Sequence, residues 1–362
     1  MRVHLIAAAR PNFMKVAPLW HALKAAADFT PVLVHTGQHY DANMSGDVLA
    51  DLGLPEPDHH LGVGGGSHAE QTGRVMIAYE KVAEAERPDW IVVVGDVNST
   101  LAAALVGAKL RIPVVHLEAG LRSRDRDMPE EINRIATDVV ADVLWTPSPD
   151  ADANLIAEGI PPERITRVGN IMLDSFELVR SRIEAEGMAD ALGIGGSPYA
   201  VVTLHRPSNV DQAGPLAALV QALVAVQARL PIVFPVHPRT AAKLAEFGLR
   251  DRLVEAGVRL IEPLPYVRFM SLVRGAAAAI TDSGGIQEET TYLGIPCLTL
   301  RENTERPITV EQGTNRLVRA GTLLEALDAA LARESAPVRP EYWDGQTAGR
   351  CVEDLRRRAG RP

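Results

Sequence analysis

Cysteine is scarce: Cys297 and Cys351 are the only two in 362 residues, and they form no CxxC pair. That excludes a disulfide framework and fits a reducing compartment. A surplus of basic charge is also missing. The net charge is −9, the sequence pI is near 5.6, and no block of like charges occurs. A chain that wraps a nucleic-acid backbone carries a basic face, so nucleic acid is excluded as a partner, while a local pocket for a small anion stays open. Long hydrophobic runs are absent too. The longest uncharged stretch, 212–228, contains Gln212, Gln221, Gln227 and Pro215 and ends on Arg229, which reads as a packed helix and not a membrane span. The apolar start breaks at Arg10-Pro11, too short for a signal-peptide core and with no cleavage site behind it. The expectation is a soluble, cytoplasmic protein with no membrane partner.

Three motif classes are missing as well. There is no GxxxxGK[ST] phosphate loop and no GxSxG elbow. The Gly-rich GVGGGS (62–67) fails to complete GxGxxG at Ser67, and it reads as a loop between two helical stretches. His59-His60 and His68 lack a spacing suited to one helix face, so no metal site is expected.

What is present is an ordinary globular balance, 46% hydrophobic and 23% charged, in a length that suits two domains of about 150 residues. Short β-branched runs, each followed by a helical pattern, recur at VHLIAA (3–8), PVLVHT (31–36), WIVVVGD (90–96), PVVHLE (113–118) and DVLWT (142–146). The series restarts at YAVVTLH (199–205), PIVFPVH (231–237), RLIEP (259–263), AAIT (278–281) and PCLTL (296–300). Apolar runs with little alternation are strands buried on both faces, and strand–helix alternation argues a parallel sheet. With a Gly-rich break at Gly187 and 193–197, the fold class is α/β: two doubly wound Rossmann-like domains facing a central cleft. The expected division is 1–170 and 171–345, with a C-terminal helix in 346–362 returning to the first domain.

In open α/β sheets ligands sit beyond the C-terminal strand ends. The polar residues there are Arg10, Asp96, Glu118, His205, His237 and Asp282-Ser283-Gly284-Gly285. TDSGGIQEETTYLG (281–294) sits at a strand-to-helix turn where two glycines and a helix start suit an anion. An ordinary loop with Ser283 as N-cap would explain SGG alone. Carboxylates one turn later at Glu288 and Glu289 repel phosphate but accept hydrogen bonds from ribose hydroxyls, which points to a nucleoside diphosphate. Asp96, Glu118 and Glu130 are each explicable as caps or dipole partners, but three acids in one half fit proton transfer better. Arg206, next to His205, offers a bidentate fork for phosphate.

Together ARPNFMKVAPL, GQHYDANM, VVGDVNST, HLEAGLRS, MPEEINR, TLHRPSNVD, FPVHPRT and TDSGGIQEETTYLGIPCLTLRENTERP resemble the non-hydrolysing UDP-N-acetylglucosamine 2-epimerases over nearly the whole chain. The family typically begins GTRPE, whereas this chain has AARPN, with Asn12 in place of Glu. The resemblance implies a GT-B-like fold, inversion of carbon 2 of UDP-N-acetylglucosamine without a cofactor, and passage through 2-acetamidoglucal with UDP detached. It assigns Asp96, Glu118, Glu130 and His205 to catalysis. Arg10, Arg206, Ser283, Gly284 and Gly285 are assigned to the diphosphate, and Glu289 to the ribose. It further implies a homodimer, and activation by a second substrate molecule through Gln38, His39, Arg74, Arg206 and His237, although Asp41 stands where activated members often carry Gln.

Four other functions stay open at this point: a 2-epimerase of a modified UDP-sugar such as a diacetamido uronic acid, a GT-B glycosyltransferase, a hydrolysing epimerase, and a nucleotide-sugar sensor. A glycosyltransferase must admit an acceptor, and a sensor predicts decayed acids, whereas the acids here are intact.

Overall fold

The computed structural model describes residues 1–37, 49–333 and 336–360. It divides into two units, 1–179 with 341–362, and 180–340. The first unit is a seven-stranded sheet, β1 (Arg2–Ala7), β2 (Thr30–His35), β3 (His59–His60), β4 (Trp90–Val94), β5 (Val114–Leu117), β6 (Val143–Thr146) and β7 (Ile165–Arg167). Its order is β3-β2-β1-β4-β5-β6-β7, and every pairing is parallel. Its helices are α1 (Arg10–Ala25), α2 (His68–Glu86), α3 (Asn98–Leu110), α4 (Pro129–Val140), α5 (Pro149–Ala157) and α6 (Ile171–Leu178). β5 and β6 are buried along their whole length and β4 beyond Trp90, as apolar-rich strands covered on both faces are.

Local chemistry sets the helix starts. Pro occupies the first turns of α1, α4 and α5, where its missing N–H is no loss. Asn12, which stands where the family carries Glu, supplies the N3 half of a capping box, since the N-cap Ala9 has no accepting side chain: its Oδ1 accepts from Ala9 N at 3.1 Å and its Nδ2 donates to Val94 O at 3.1 Å. The Gly-rich 62–67 loop follows the two-residue β3, not a helix as the sequence suggested. Ser67, the residue that breaks the dinucleotide fingerprint, caps α2 reciprocally with Glu70.

The second unit carries α7 (Arg180–Glu186), α8 (Met188–Ala191), β8 (Ala200–Thr203), α9 (Pro207–Val210), α10 (Ala213–Arg229), β9 (Ile232–Pro235), α11 (Pro238–Glu246), α12 (Arg250–Glu255) and β10 (Arg259–Ile261). It continues with α13 (Tyr266–Arg274), β11 (Ala278–Thr281), α14 (Gly284–Leu293), β12 (Cys297–Thr299), α15 (Ile308–Glu311), β13 (Asn315–Leu317) and α16 (Leu323–Leu331). The six strands are parallel in the order β10-β9-β8-β11-β12-β13. The uncharged 212–228 stretch is α10, whose Leu216, Leu219, Val220, Leu223 and Val226 join the core. Among the described residues no helix is long and apolar enough to cross a membrane.

The boundary differs from the expected 170/171. Helix α6 stays with the first unit because Ser175 Oγ donates to Met14 O on α1 and Asp174 caps the last helix, α17 (Thr347–Arg358), through the N–H groups of Thr347 and Ala348 at 3.1 and 2.8 Å. Asp354 of α17 accepts from Trp145 Nε1 at 2.8 Å, and Arg356 pairs with Asp28, so the chain's end is bonded into the first unit.

Candidate active-site residues

Each sheet has a switch point where neighbouring strands send their connections in opposite directions: β1/β4 in the first unit and β8/β11 in the second. Such points are where open α/β sheets bind ligands. In the first unit, Asp96 follows β4 through Gly95, whose φ of 67° suits glycine. Arg134, buried on α4, donates from Nε to Asp96 Oδ2 at 3.0 Å and also pairs with Glu131. Asn133 on the same helix holds Asp96 O at 2.9 Å. The Asp96 side chain is nonetheless 33% exposed, so its carboxylate is open to a ligand while anchored from behind.

Glu118 follows the adjacent β5. It is buried at 4% exposure and its carboxylate pairs with Lys15 of α1. Its backbone lies in the left-handed region at φ 71°, a conformation that costs a non-glycine residue about 1–3 kcal/mol and is found where surrounding structure imposes it. A Cβ on Gly95 would sit 3.2 Å from Lys15 Nζ and 3.4 Å from Glu118 Oε2, so the Asp96 turn and the Glu118 pair are in contact. Beneath them, His116 bridges Asp138 Oδ1 at 2.6 Å and Gly95 O at 2.8 Å. Burial pushes the Asp138 carboxyl up, but His116 and Arg122 outweigh it and hold it below the usual range. Glu130 opens α4 half-buried, with no hydrogen bond or ion pair among the described residues. Its neighbour Glu131 is structural, accepting from Ser123 N and Arg124 N at 3.0 and 2.8 Å.

In the second unit, α14 begins at Gly284-Gly285 right after β11, and no side chain caps its first turn. Ser283 therefore does not act as a side-chain cap, and the first-turn N–H groups are left without one, which is the local chemistry that suits an anion. Gly284 is needed for space: a Cβ there would lie 2.8 Å from both Arg306 Nη1 and Glu305 Oε1. Those two belong to a buried charge cluster in which Arg306 pairs with Glu288 at 2.9 Å and Glu305 at 2.7 Å, and Arg301 pairs with Glu305 at 2.8 Å. Burial raises the Glu305 carboxyl, but Arg306 and Arg301 dominate and hold it well below the usual carboxylate range. Glu289 is the opposite case. It is buried, accepts from Tyr266 Oη at 2.6 Å, and burial pushes it up to about 8.

His205 and Arg206 follow β8 and close on Asp282, whose buried carboxylate accepts from both backbone N–H groups at 3.0–3.1 Å. Arg206 Nε donates to Asp282 O at 2.9 Å. His237 caps α11, its Nδ1 accepting from Arg239 N at 3.2 Å, and its ring lies 5.6 Å from that of His205.

The structure thus gathers Asp96 and Glu118 with Glu130 on the neighbouring helix in one unit, and His205, Arg206, His237, Ser283, Gly284, Gly285 and Glu289 around β8 and β11 in the other. Arg10 opens α1, but its side chain lies outside what is described, as do Gln38, His39 and Asp41. Arg74 is on the exposed side of α2, pairing with Glu70 at 3.4 Å. His59, His60 and His68 do not converge, and among the described residues no cluster of three or more His, Cys, Asp or Glu is placed to hold a metal. Sequence reasoning missed Lys15 and Arg134. Both lie inside quoted motifs, and Arg134 stands at the i+3 spacing from Glu131 that brings a helical pair together.

Two parallel α/β units with polar residues collected at both switch points define the GT-B-like class of α/β protein. The profile of the UDP-N-acetylglucosamine 2-epimerase family matches residues 21–356, and the chain belongs to that family of isomerases. It is 40% identical to the UDP-N-acetylglucosamine 2-epimerase of Methanocaldococcus jannaschii, over 98% of this chain and 99% of that one. A crystal structure of the enzyme from that organism, in complex with UDP-GlcNAc and UDP, superposes with a TM-score of 0.90 at 39% identity, covering 98% and 99%. The chain is also 38% identical to the UDP-2,3-diacetamido-2,3-dideoxy-D-glucuronate 2-epimerase of Pseudomonas aeruginosa, over 98% and 99%.

Proposed function

We propose that this chain interconverts UDP-N-acetylglucosamine and UDP-N-acetylmannosamine. The observation that carries the reading is the pair Asp96 and Glu118, at the ends of adjacent strands, each held against a buried cation. Carbon 2 carries no acidic proton, so direct removal and return is not available. Loss of that proton is therefore coupled to departure of UDP: the C2–H electron pair becomes the C1=C2 bond of 2-acetamidoglucal, and the C1–O bond electrons leave with the diphosphate. Protonation at carbon 2 from the other face and attack of the diphosphate oxygen on carbon 1 complete the inversion. No net oxidation occurs.

The roles divide by unit. Asp96, Glu118 and Glu130 serve the two proton transfers, which call for two groups near one carbon. Lys15 and Arg134 hold their partners in place. Ser283, Gly284, Gly285 and Arg206, with Arg10, hold the diphosphate while it is detached, using helix-start N–H groups and guanidinium charge. Glu289 reads the ribose and His205 stands by the glycosidic oxygen. Proton NMR of the protein with UDP-N-acetylglucosamine is the test. The expected result is UDP-N-acetylmannosamine approaching an equilibrium mixture. Free N-acetylmannosamine with UDP would replace the reading by a hydrolysing epimerase.

A second reading follows from the Pseudomonas relative, similar over as much of the chain: the substrate is a UDP-linked diacetamido uronic acid. UDP binding without turnover of UDP-N-acetylglucosamine, and turnover of that sugar instead, would establish it.

A further inference from the structure

We propose that Asp282 is the positioning residue for His205, fixing its imidazole in the Nδ1–H form so that Nε2 is the nitrogen offered to the substrate. The inference rests on the substrate-facing role proposed for His205. Asp282 is fully buried at the end of β11, and its carboxylate is surrounded by donors: the N–H groups of His205 and Arg206, and Asn209 Nδ2 at 3.1 Å. His205 Nδ1 lies 3.1 Å from the same Oδ1. An ionised carboxylate only accepts, so the proton in that contact belongs to Nδ1. Burial raises the Asp282 carboxyl, but the His205 hydrogen bond and charge, with the N–H of Arg206 and Asn209, hold it below its ordinary value.

One carboxylate therefore ties down both the backbone and the ring of His205, while the side chain stays 40% exposed. No described residue bonds to Nε2. The neighbouring His237 supplies the contrast: its Nδ1 accepts a backbone N–H, so its ring is held in the opposite form, with the proton on Nε2. The tautomer matters because Nε2 of an Nδ1–H imidazole accepts a proton or hydrogen bond, and gives one back once charged. The opposite tautomer has only an N–H to present there.

The first test uses the unaltered protein. Long-range proton–nitrogen NMR on histidine-labelled enzyme, with His205 and His237 assigned by loss of signal in His205→Asn and His237→Asn, should show a proton on His205 Nδ1 and none on His237 Nδ1. An unprotonated Nδ1 on His205 overturns the proposal. The second test is a double-mutant cycle on turnover. Asp282→Asn should lower kcat by about 100-fold or more, with KM and UDP affinity changed by less than about fivefold. In a His205→Asn background the same change should cost nothing further. Additive losses, or a loss carried by KM and UDP affinity, would make Asp282 a support of the loop alone. Failure of the unaltered protein to turn over the sugar would instead strike the substrate reading, leaving the NMR result intact.

Discussion

The two sheets share one winding plan and set different residues at its switch points. Asp96 and Asp282 occupy corresponding places, just beyond the strand on the far side of each switch point. Asp96 is partly exposed and anchored by a cation behind it, whereas Asp282 is sealed among N–H donors and turned onto its own neighbours. One strand further out, Glu118 is a carboxylate held by Lys15, and Arg301 is a guanidinium held by Glu305. The buried residue at that place is thus acidic in one unit and basic in the other, each paired with an opposite charge. Topology fixes where the site residues fall, and the buried partner behind each decides what it can do.

That contrast breaks most sharply at the acids. Asp96→Asn and Glu118→Gln should each lower turnover by about 100-fold or more while UDP binding, proposed above to rest on other residues, persists. Comparing kcat with calorimetric UDP affinity checks this, and a parallel loss of both would erase the division of roles. Next in size is Gly284→Ala. The added methyl meets the ends of Arg306 and Glu305, which are locked in their charge cluster. It should lower the unfolding free energy by about 1–3 kcal/mol, read as a drop in the thermal midpoint of the unliganded protein, and weaken UDP binding as the turn shifts.

The units should also respond to pH in opposite directions. His35, in the first unit, is lowered to about 4 by burial and by the charge of His60, against a hydrogen bond that it donates to the Ala8 backbone. Between pH 4 and 6.5 the unfolded chain binds this proton and the folded chain does not, so its contribution to stability rises with pH. Glu289, in the second unit, keeps its proton up to about 8 when folded and loses it near 4.5 when unfolded, so its contribution falls as pH rises through that window. Denaturant titrations should find Glu289→Gln matching the parent near pH 4.5 and gaining on it toward pH 8, and His35→Gln flattening the rise below 6.5. Equal pH slopes in variant and parent would remove either claim. The smallest effect is expected at Asn12→Ala, where loss of the bonds from Ala9 N and to Val94 O should cost about 1 kcal/mol of unfolding free energy. No loss would mean that Asn12 is not what holds the start of α1.

Most of the fold is legible in the chain because ten strands are unbroken apolar runs. The three that escape reading, β3 (HH), β7 (ITR) and β13 (NRL), are two or three residues long and lie at sheet edges. Edge strands are covered on fewer sides and carry a weaker hydrophobic signature; β10, the fourth edge strand, is legible through its Leu260-Ile261 pair. The site is legible where chemistry ends a strand, as at Asp96, Glu118 and His205. It is not legible where partners meet across the sequence. Lys15 reaches Glu118 over 103 positions, and nothing local in either motif announces the other. The boundary near 179 was hidden for the same reason, since α6 is tied to α1 and α17 by bonds between distant residues.

The central claim is that the first unit's carboxylates move a proton at carbon 2 while UDP is detached. Running the reaction on UDP-N-acetylglucosamine in deuterated water tests it directly by proton NMR. The account predicts solvent deuterium at carbon 2 of the epimerised product. Conversion with the original proton retained at carbon 2 would contradict it.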